Sequence, residues 1–145
     1  MTGPWHGPCL AGVFALGMVP ASNLDAAPIV LPSGAGAEPL EPVWDEDLSV
    51  IRLRFVVERL REPASIYAGN ADLVFEDMLW LCETQVRSAF GPDEDPKDQG
   101  WLGAVITLMD REVEFGVTDS TALQLFEWFS FTMDGCEIDL DEYHD

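Results

Sequence analysis

The chain has few of the residues that most catalytic sites require. It has only two histidines, His6 and His144, and both lie near the ends of its 145 residues. A Ser-His or Cys-His dyad would need one of them to fold into a cleft. No nucleophile elbow, P-loop or dinucleotide-binding pattern is present, and the glycine-rich stretch PSGAGAEP follows no strong strand signal. We therefore expect a protein that is not an enzyme.

Cysteine is also scarce. Cys9, Cys82 and Cys136 are too few and too far apart to indicate a disulfide framework, and an odd number leaves one unpaired. His6 and Cys9 have a usable spacing for zinc, but no second close pair completes the site. The cysteine usage thus predicts a reducing, cytoplasmic location, with no metal and no cofactor.

Long apolar runs are missing as well. No stretch reaches the length of a transmembrane span. The segment CLAGVFALGMVPAS has the length of a signal-peptide core, but no Lys or Arg precedes it. The sequence therefore favours a protein that is neither secreted nor associated with a membrane.

Positive charge is the largest deficit. Seven basic residues stand against 27 acidic ones, a net charge of −20, in a chain that is 48% hydrophobic and 10% aromatic. That apolar content is typical of a folded protein. A strongly negative surface repels nucleic acid and anionic lipid and attracts basic proteins. Direct nucleic-acid binding is thereby excluded.

Composition divides the chain into three parts. Residues 1–42 hold seven of the ten prolines and no basic residue, which predicts an extended arm able to contribute one short edge strand over residues 10–19. Residues 43–135 are predicted to form a helical domain. Residues 136–145 form an acidic tail.

Apolar periodicity predicts four helices, at about 45–61, 71–90, 99–115 and 118–133. The second is the clearest, with Asn70 as N-cap and Gly91 followed by Pro92 at its end. The first has a rival, because residues 51–55 alternate as a strand would. The pattern predicts a mainly α fold, a small antiparallel bundle of about four helices. Its expected core comprises Val74, Phe75, Met78, Val105, Ile106, Phe126 and Phe129.

The acidic C-terminus could be a calcium-binding loop of the EF-hand type, but its residues do not match the ligand positions of that loop. With Gly135 at position 6 of an EF-hand loop, the first three ligand positions hold Ser130, Thr132 and Asp134. The apolar position then holds Glu137. The tail is therefore not expected to be a specific calcium site.

The distribution of charge gives the candidate site. Residues 1–91 carry −7 and residues 92–145 carry −13. Carboxylates three or four residues apart on a helix are about 5 to 6 Å apart, comparable with successive phosphates, so such rows could substitute for DNA on a basic surface. Two tryptophans off the main apolar stripes are candidate exposed anchors. The candidate residues are the rows Asp72, Glu76, Glu83 and Asp110, Glu114, the tail acids Glu137, Asp139, Asp141 and Glu142, and the anchors Trp80 and Trp128.

The sequence thus predicts a non-catalytic acidic interaction protein that occupies a basic surface of a partner macromolecule. A toxin-neutralising immunity protein, or a phage-type inhibitor that mimics nucleic acid to block a nuclease or a nucleic-acid-binding complex, fits this description. The alternative is a structural subunit of a larger assembly, such as a virion, that uses the arm for subunit contacts. For any single acidic cluster, a merely solvated surface is the simpler explanation. Both a monomer and a homo-oligomer remain open.

Overall fold

The chain folds around a curled β-sheet. The computed structural model describes residues 28–57, 60, 67, 69–91, 93–133 and 135–139. Within these ranges seven strands form a half-barrel sheet with one α-helix, so the predicted four-helix bundle is wrong. The elements are β1 (Ile29–Val30), β2 (Gly36–Pro39), β3 (Val43–Asp45), β4 (Val50–Val56), α1 (Ala71–Ala89), β5 (Gly103–Met109), β6 (Gln124–Phe131) and β7 (Cys136–Ile138).

The strands follow the order β1-β2-β4-β5-β6-β7, and β3 pairs with the first half of β4. β4 and β5 run parallel over their whole length, from Val50 opposite Gly103 to Val56 opposite Met109. The other pairs among the described strands are antiparallel. Since parallel strands need a crossover connection, the chain crosses the sheet between β4 and β5, and α1 lies in that connection.

Three of the predicted helices are strands. The segment 45–61 contains the end of β3 and all of β4, as the alternation at 51–55 indicated. The segment 99–115 contains β5, in which only Thr107 is not buried; burial on both faces hides the period-2 pattern. The segment 118–133 contains β6. The remaining helix is confirmed as Ala71–Ala89, and the Asn70 side chain accepts a hydrogen bond from the Leu73 N–H at 3.1 Å.

The main core lies between α1 and the face of the sheet that it covers, which we call the inner face. The strands contribute mainly alternate residues to it, and α1 contributes its apolar stripe. Fully buried members include Ile51, Phe55, Ala104, Ile106, Leu108 and Phe129 from the strands and Leu81 and Cys82 from the helix.

The expected core is only partly confirmed. Met78, Ile106 and Phe129 are buried in the main core, and Val74 and Phe75 are partly buried against it. Two residues differ because β6 and β5 are strands. Val105 is buried, but it alternates with Ala104 and Ile106 and so lies on the opposite, outer face. Phe126 is 58% exposed on that face, so its predicted place in the core is wrong.

A buried carboxyl group ties the turn between β1 and β2 to the helix. Asp77 is fully buried and accepts hydrogen bonds from the Ser33 N–H at 3.0 Å, from the Ser33 hydroxyl and from the Tyr67 hydroxyl at 2.6 Å. Burial raises the pKa of Tyr67, and its hydrogen bond to Asp77 raises it further. Tyr67 therefore acts here as a neutral donor to the carboxyl group.

A disulfide joins Cys82 of α1 to Cys136 of β7, with the two Cα atoms 6.3 Å apart. The two cysteines are 54 residues apart in sequence. The expectation that the cysteines form no disulfide is thus wrong. A cross-link over this span stabilises the fold by about 4 kcal/mol in the chain-entropy treatment.

The Asp77 cluster yields the first prediction. Asp77→Ala leaves three donors, two of them hydroxyls, without their acceptor and should lower the free energy of unfolding by about 3 to 5 kcal/mol. Urea denaturation measures it. The control Glu76→Ala alters the neighbouring, exposed carboxylate and should change the free energy by less than about 0.5 kcal/mol. Equal effects would show that Asp77 does not hold the turn.

The register of β6 yields the second prediction. Phe129 is 1% exposed and Phe126 is 58% exposed. Phe129→Ala should therefore cost about 3 to 5 kcal/mol, whereas Phe126→Ala should cost less than about 1 kcal/mol. Denaturant unfolding of both variants measures the difference. The reverse order would mean that β6 presents its other face to the core.

Candidate functional site

An acidic cleft opens where the end of α1 meets the end of β6. One wall is the last two turns of the helix, another is the loop that follows it, and the third is the turn from β6 into β7. The cleft has a volume of about 200 Å³. Its lining residues are Cys82, Glu83, Val86, Phe90, Asp93, Glu94, Asp95, Pro96, Phe131, Thr132, Met133, Gly135 and Cys136.

The cleft has an apolar floor and an acidic rim. Val86, Phe90 and Phe131 are at most 7% exposed, and the buried disulfide lies beside them. Four exposed acidic residues surround this floor, namely Glu83, Asp93, Glu94 and Asp95. No basic side chain is among its lining residues. The cleft therefore combines hydrophobic contact with negative charge that no lining residue compensates.

Two rim carboxylates are engaged in local structure. The Glu94 Oε1 atom accepts a hydrogen bond from the Gly91 N–H at 2.7 Å, and the Asp95 Oδ1 atom accepts one from the Lys97 N–H at 3.0 Å. The second interaction caps a short 3₁₀ helix, Pro96–Gln99. Both contacts fix the loop that forms one wall.

The other two carboxylates face the solvent. Within the described ranges, Glu83 and Asp93 have no hydrogen bond or ion pair. Glu83 lies against Gly135, where an added Cβ would come within 2.9 Å of its Oε2 atom. The missing side chain at position 135 thus lets the Glu83 carboxylate pack across the turn into β7.

The size and chemistry of the cleft favour one long cationic side chain. Pockets for small-molecule ligands usually occupy about 300 to 1,000 Å³, which is more than this cleft provides. Lys and Arg carry an apolar stem and a charged head. The stem can contact the floor while the head reaches the rim carboxylates.

A second groove runs between the start of α1 and β6. It has a volume of about 400 Å³ and is lined by Ala71, Val74, Phe75, Met78, Gln124, Leu125, Phe126 and Glu127. Glu127 is its only charged lining residue. The groove therefore gives little basis for selecting a partner by charge.

The structure separates the predicted site residues. Asp72, Glu76 and Glu83 lie on α1 and are exposed, and of these Glu83 alone lines the cleft. Asp110 and Glu114 follow β5 in a loop, so the helical spacing expected for this pair is wrong. Asp110 is engaged there, because its Oδ1 atom accepts hydrogen bonds from the Leu123 N–H at 3.1 Å and from Arg111.

The structure also places the predicted tail acids in different environments. Glu137 is exposed on β7, and Asp139 is half-buried with its N–H bonded to the Trp128 carbonyl at 2.9 Å. Asp141 and Glu142 lie outside the described residues. Ser130, at the first ligand position of the calcium register, is part of β6.

The two candidate anchors are partly buried. Trp80 packs against the main core. On the outer face, the Arg52 guanidinium lies 5.6 Å from the ring centroids of both Trp128 and Phe115. Arg54 lies 5.7 Å from the Phe115 centroid and donates to the Val113 carbonyl at 2.8 Å. These contacts hold the loop after β5 over the outer face.

The sequence prediction missed three of the four rim acids as site residues. Asp93, Glu94 and Asp95 lie in the stretch PDEDPKDQ, which combines acids with two prolines directly after the confirmed helix. That composition predicts an exposed acidic loop. Its proximity to β6 and β7 depends on the sheet, which the sequence did not predict.

Two of the five zinc candidates are joined by the disulfide. Cys82 and Cys136 are bonded to each other, while His6, Cys9 and His144 lie outside the described residues. In the part of the chain that the structure describes, no group of three or more potential ligands is placed to hold a metal ion. The same part contains no helix of the length and apolar character needed to cross a bilayer.

Comparison with known proteins identifies the family. Residues 14–140 match the Family of unknown function (DUF6497), and the chain belongs to this family. No curated protein and no solved structure matches the chain.

The outer face yields a pH prediction. The hydrogen bonds from Arg52 hold the pKa of Asp45 below its ordinary value of 3.8. A lowered carboxyl pKa stabilises the fold above the ordinary pKa, and this contribution is lost as the pH falls through the folded value. Asp45→Asn should therefore lower the melting temperature at neutral pH, and the difference from wild type should shrink below about pH 4.

Glu46→Gln is the matched control, because it removes the same charge from the same turn and has no contact with Arg52 in the described structure. Calorimetry of the three proteins across the acid range makes the comparison. A melting-temperature difference for Asp45→Asn that does not change with pH would contradict the role of its charge.

Proposed function

We propose that this member of the family is a non-catalytic interaction protein whose acidic cleft receives a Lys or Arg side chain of a basic partner protein. The observation that carries the proposal is the combination of a buried apolar floor with four rim carboxylates and no lining base. A cationic side chain is the chemical group that both features favour. The partner surfaces that fit include those of nucleases, toxins and nucleic-acid-binding complexes.

The charge of the whole chain supports this assignment. At −20 it attracts basic partners over distances of about a Debye length, 8 Å at physiological salt. Three arginines that could offset the acids are engaged internally: Arg52 with Asp45, Arg54 with Val113 and Arg111 with Asp110. The negative field of the whole chain can therefore attract a basic partner, and the cleft can then bind one of its side chains.

The non-catalytic character rests on the placement of polar groups. The Asp77 cluster is the buried carboxyl site of the described residues, and its oxygens accept hydrogen bonds from Ser33 and Tyr67. A fully buried and hydrogen-bonded carboxyl group fits a structural role, since a catalytic group must reach its substrate.

The nucleic-acid mimic is supported less well than an inhibitor or immunity protein that recognises a basic side chain. Only the row of Asp72, Glu76 and Glu83 keeps its helical spacing. The assembly subunit stays a prediction, because most of its proposed contact segment lies outside the described residues.

The disulfide argues against the cytoplasmic location that the cysteine usage predicted. Cytosolic thiol systems keep cysteines reduced, whereas structural disulfides persist in oxidising compartments. The Cys82–Cys136 bond lies in the core of the chain. We propose that the protein functions in an oxidising compartment.

A charge-matched comparison tests the cleft. Glu83→Gln with Asp93→Asn removes two rim charges while keeping side-chain size and the loop contacts of Glu94 and Asp95. Binding of a fluorescent oligolysine peptide at low salt, measured by anisotropy, should weaken by about tenfold or more, since close charge pairs contribute strongly to affinity.

The control is Asp72→Asn with Glu76→Gln, which makes the same change of net charge on α1 but outside the cleft. Its affinity should fall by less than about threefold, through the weaker overall field. An acetylated oligolysine should not bind. Equal losses in both double variants would mean that the acidic surface acts only as a whole and that the cleft is not a binding site.

A further inference from the structure

The strand that closes the cleft is held by few non-covalent interactions. β7 has three residues, Cys136–Ile138, and pairs with β6 only over residues 129–131. Its middle residue, Glu137, is exposed. Short edge elements with few buried contacts belong to the least stable parts of a fold and open locally. The disulfide to α1 is the one covalent tie on this strand.

The disulfide is also part of the cleft. Both Cys82 and Cys136 line it, one from the helix wall and one from the β7 wall. The turn before β7 is closed by reciprocal contacts of Thr132 and Gly135, and Glu83 packs against Gly135. Any movement of β7 away from α1 therefore changes the cleft directly.

We infer that the Cys82–Cys136 disulfide controls the acidic cleft, so that the cleft binds cationic side chains more tightly in the oxidised chain than in the reduced chain. This inference rests on the proposed function of the cleft. In the reduced chain β7 separates from α1, and the wall of the cleft that β7 and its preceding turn form is lost, while α1 and the β4–β5 pair remain folded.

The chemistry is a thiol–disulfide exchange with a dithiol. A thiolate of the dithiol attacks one cysteine sulfur, forming a mixed disulfide and releasing the other cysteine as a thiolate, which takes up a proton. The second thiol of the dithiol then displaces the first cysteine. The protein gains two electrons and two protons, and the dithiol becomes a disulfide.

Reduction leaves the net charge nearly unchanged, which makes the test specific. Ordinary thiols have a pKa near 8.5 and are mostly neutral at slightly acidic pH. Both forms of the chain therefore carry almost the same overall field. A difference in oligolysine affinity between them reports the shape of the cleft.

The experiment uses the full chain with Cys9→Ser, so that only two thiols can appear, purified oxidised and then reduced with dithiothreitol. Oligolysine anisotropy should show about tenfold weaker binding after reduction, within the usual range of coupling between two sites. Hydrogen exchange should show faster exchange at residues 136–138 and unchanged protection at residues 103–109 and in α1. Because coupling is reciprocal, saturating oligolysine should shift the dithiothreitol ratio at half-reduction by the same factor.

Other results would contradict either the regulation by the disulfide or the proposed function of the cleft. The oxidised and reduced chains could bind oligolysine with equal affinity while Glu83→Gln with Asp93→Asn still weakens binding. That result would overturn the regulation by the disulfide and leave the proposed function standing. An absent effect of those two substitutions overturns the proposed function and this inference with it. Loss of the whole fold on reduction, seen by circular dichroism, contradicts a local effect of the disulfide. Alkylation of two thiols in the chain purified from an oxidising compartment shows that the disulfide does not form there and overturns the inference.

Discussion

The parallel pairing of β4 with β5 is the constraint from which the other features follow. Two parallel neighbours cannot be joined by a hairpin, so the chain must return across the sheet before β5 begins. α1 lies in this return and covers the inner face. The end of the helix and the start of β5 consequently lie near the same end of the sheet, with the 3₁₀ helix between them. β6 runs antiparallel to β5, and Ser130 opposite Gly103 places its end there too. The cleft is the space where these ends meet.

The same arrangement explains why so acidic a chain folds. Its one fully buried acidic residue within the described ranges, Asp77, has hydrogen-bond donors from two other parts of the chain. Most other described acids are exposed, where water solvates them at little cost. The arginines on the outer face hold loops in place, since Arg52 bridges Asp45 and the rings of Phe115 and Trp128. The uncompensated carboxylates are left on the surface, and several of them lie around one apolar floor.

The sequence predicted the parts that are locally encoded. α1 was predictable because Asn70 caps its start and Gly91 follows its end. β4 was predicted only as an alternative to a helix, from the alternation of Ile51, Leu53 and Phe55. β5 was not, because a strand buried on both faces has apolar residues at every position and satisfies a helical period as well. β6 was missed although the buried Phe129 and Phe131 alternate with half-buried positions, since its aromatic residues also recur at helical spacing.

The candidate site was predictable in its charge and not in its geometry. An acidic surface for a basic partner follows from the composition, but the position of the cleft depends on residues far apart in sequence. Glu83 and Gly135 meet only because β7 joins the sheet beside the helix. The disulfide has the same origin, since a separation of 54 residues carries no local signal. A three-residue strand contributes too little burial and too few backbone hydrogen bonds to hold its position firmly. A covalent bond at that strand therefore stabilises the part of the fold where the non-covalent interactions are fewest, and this part is also a wall of the cleft.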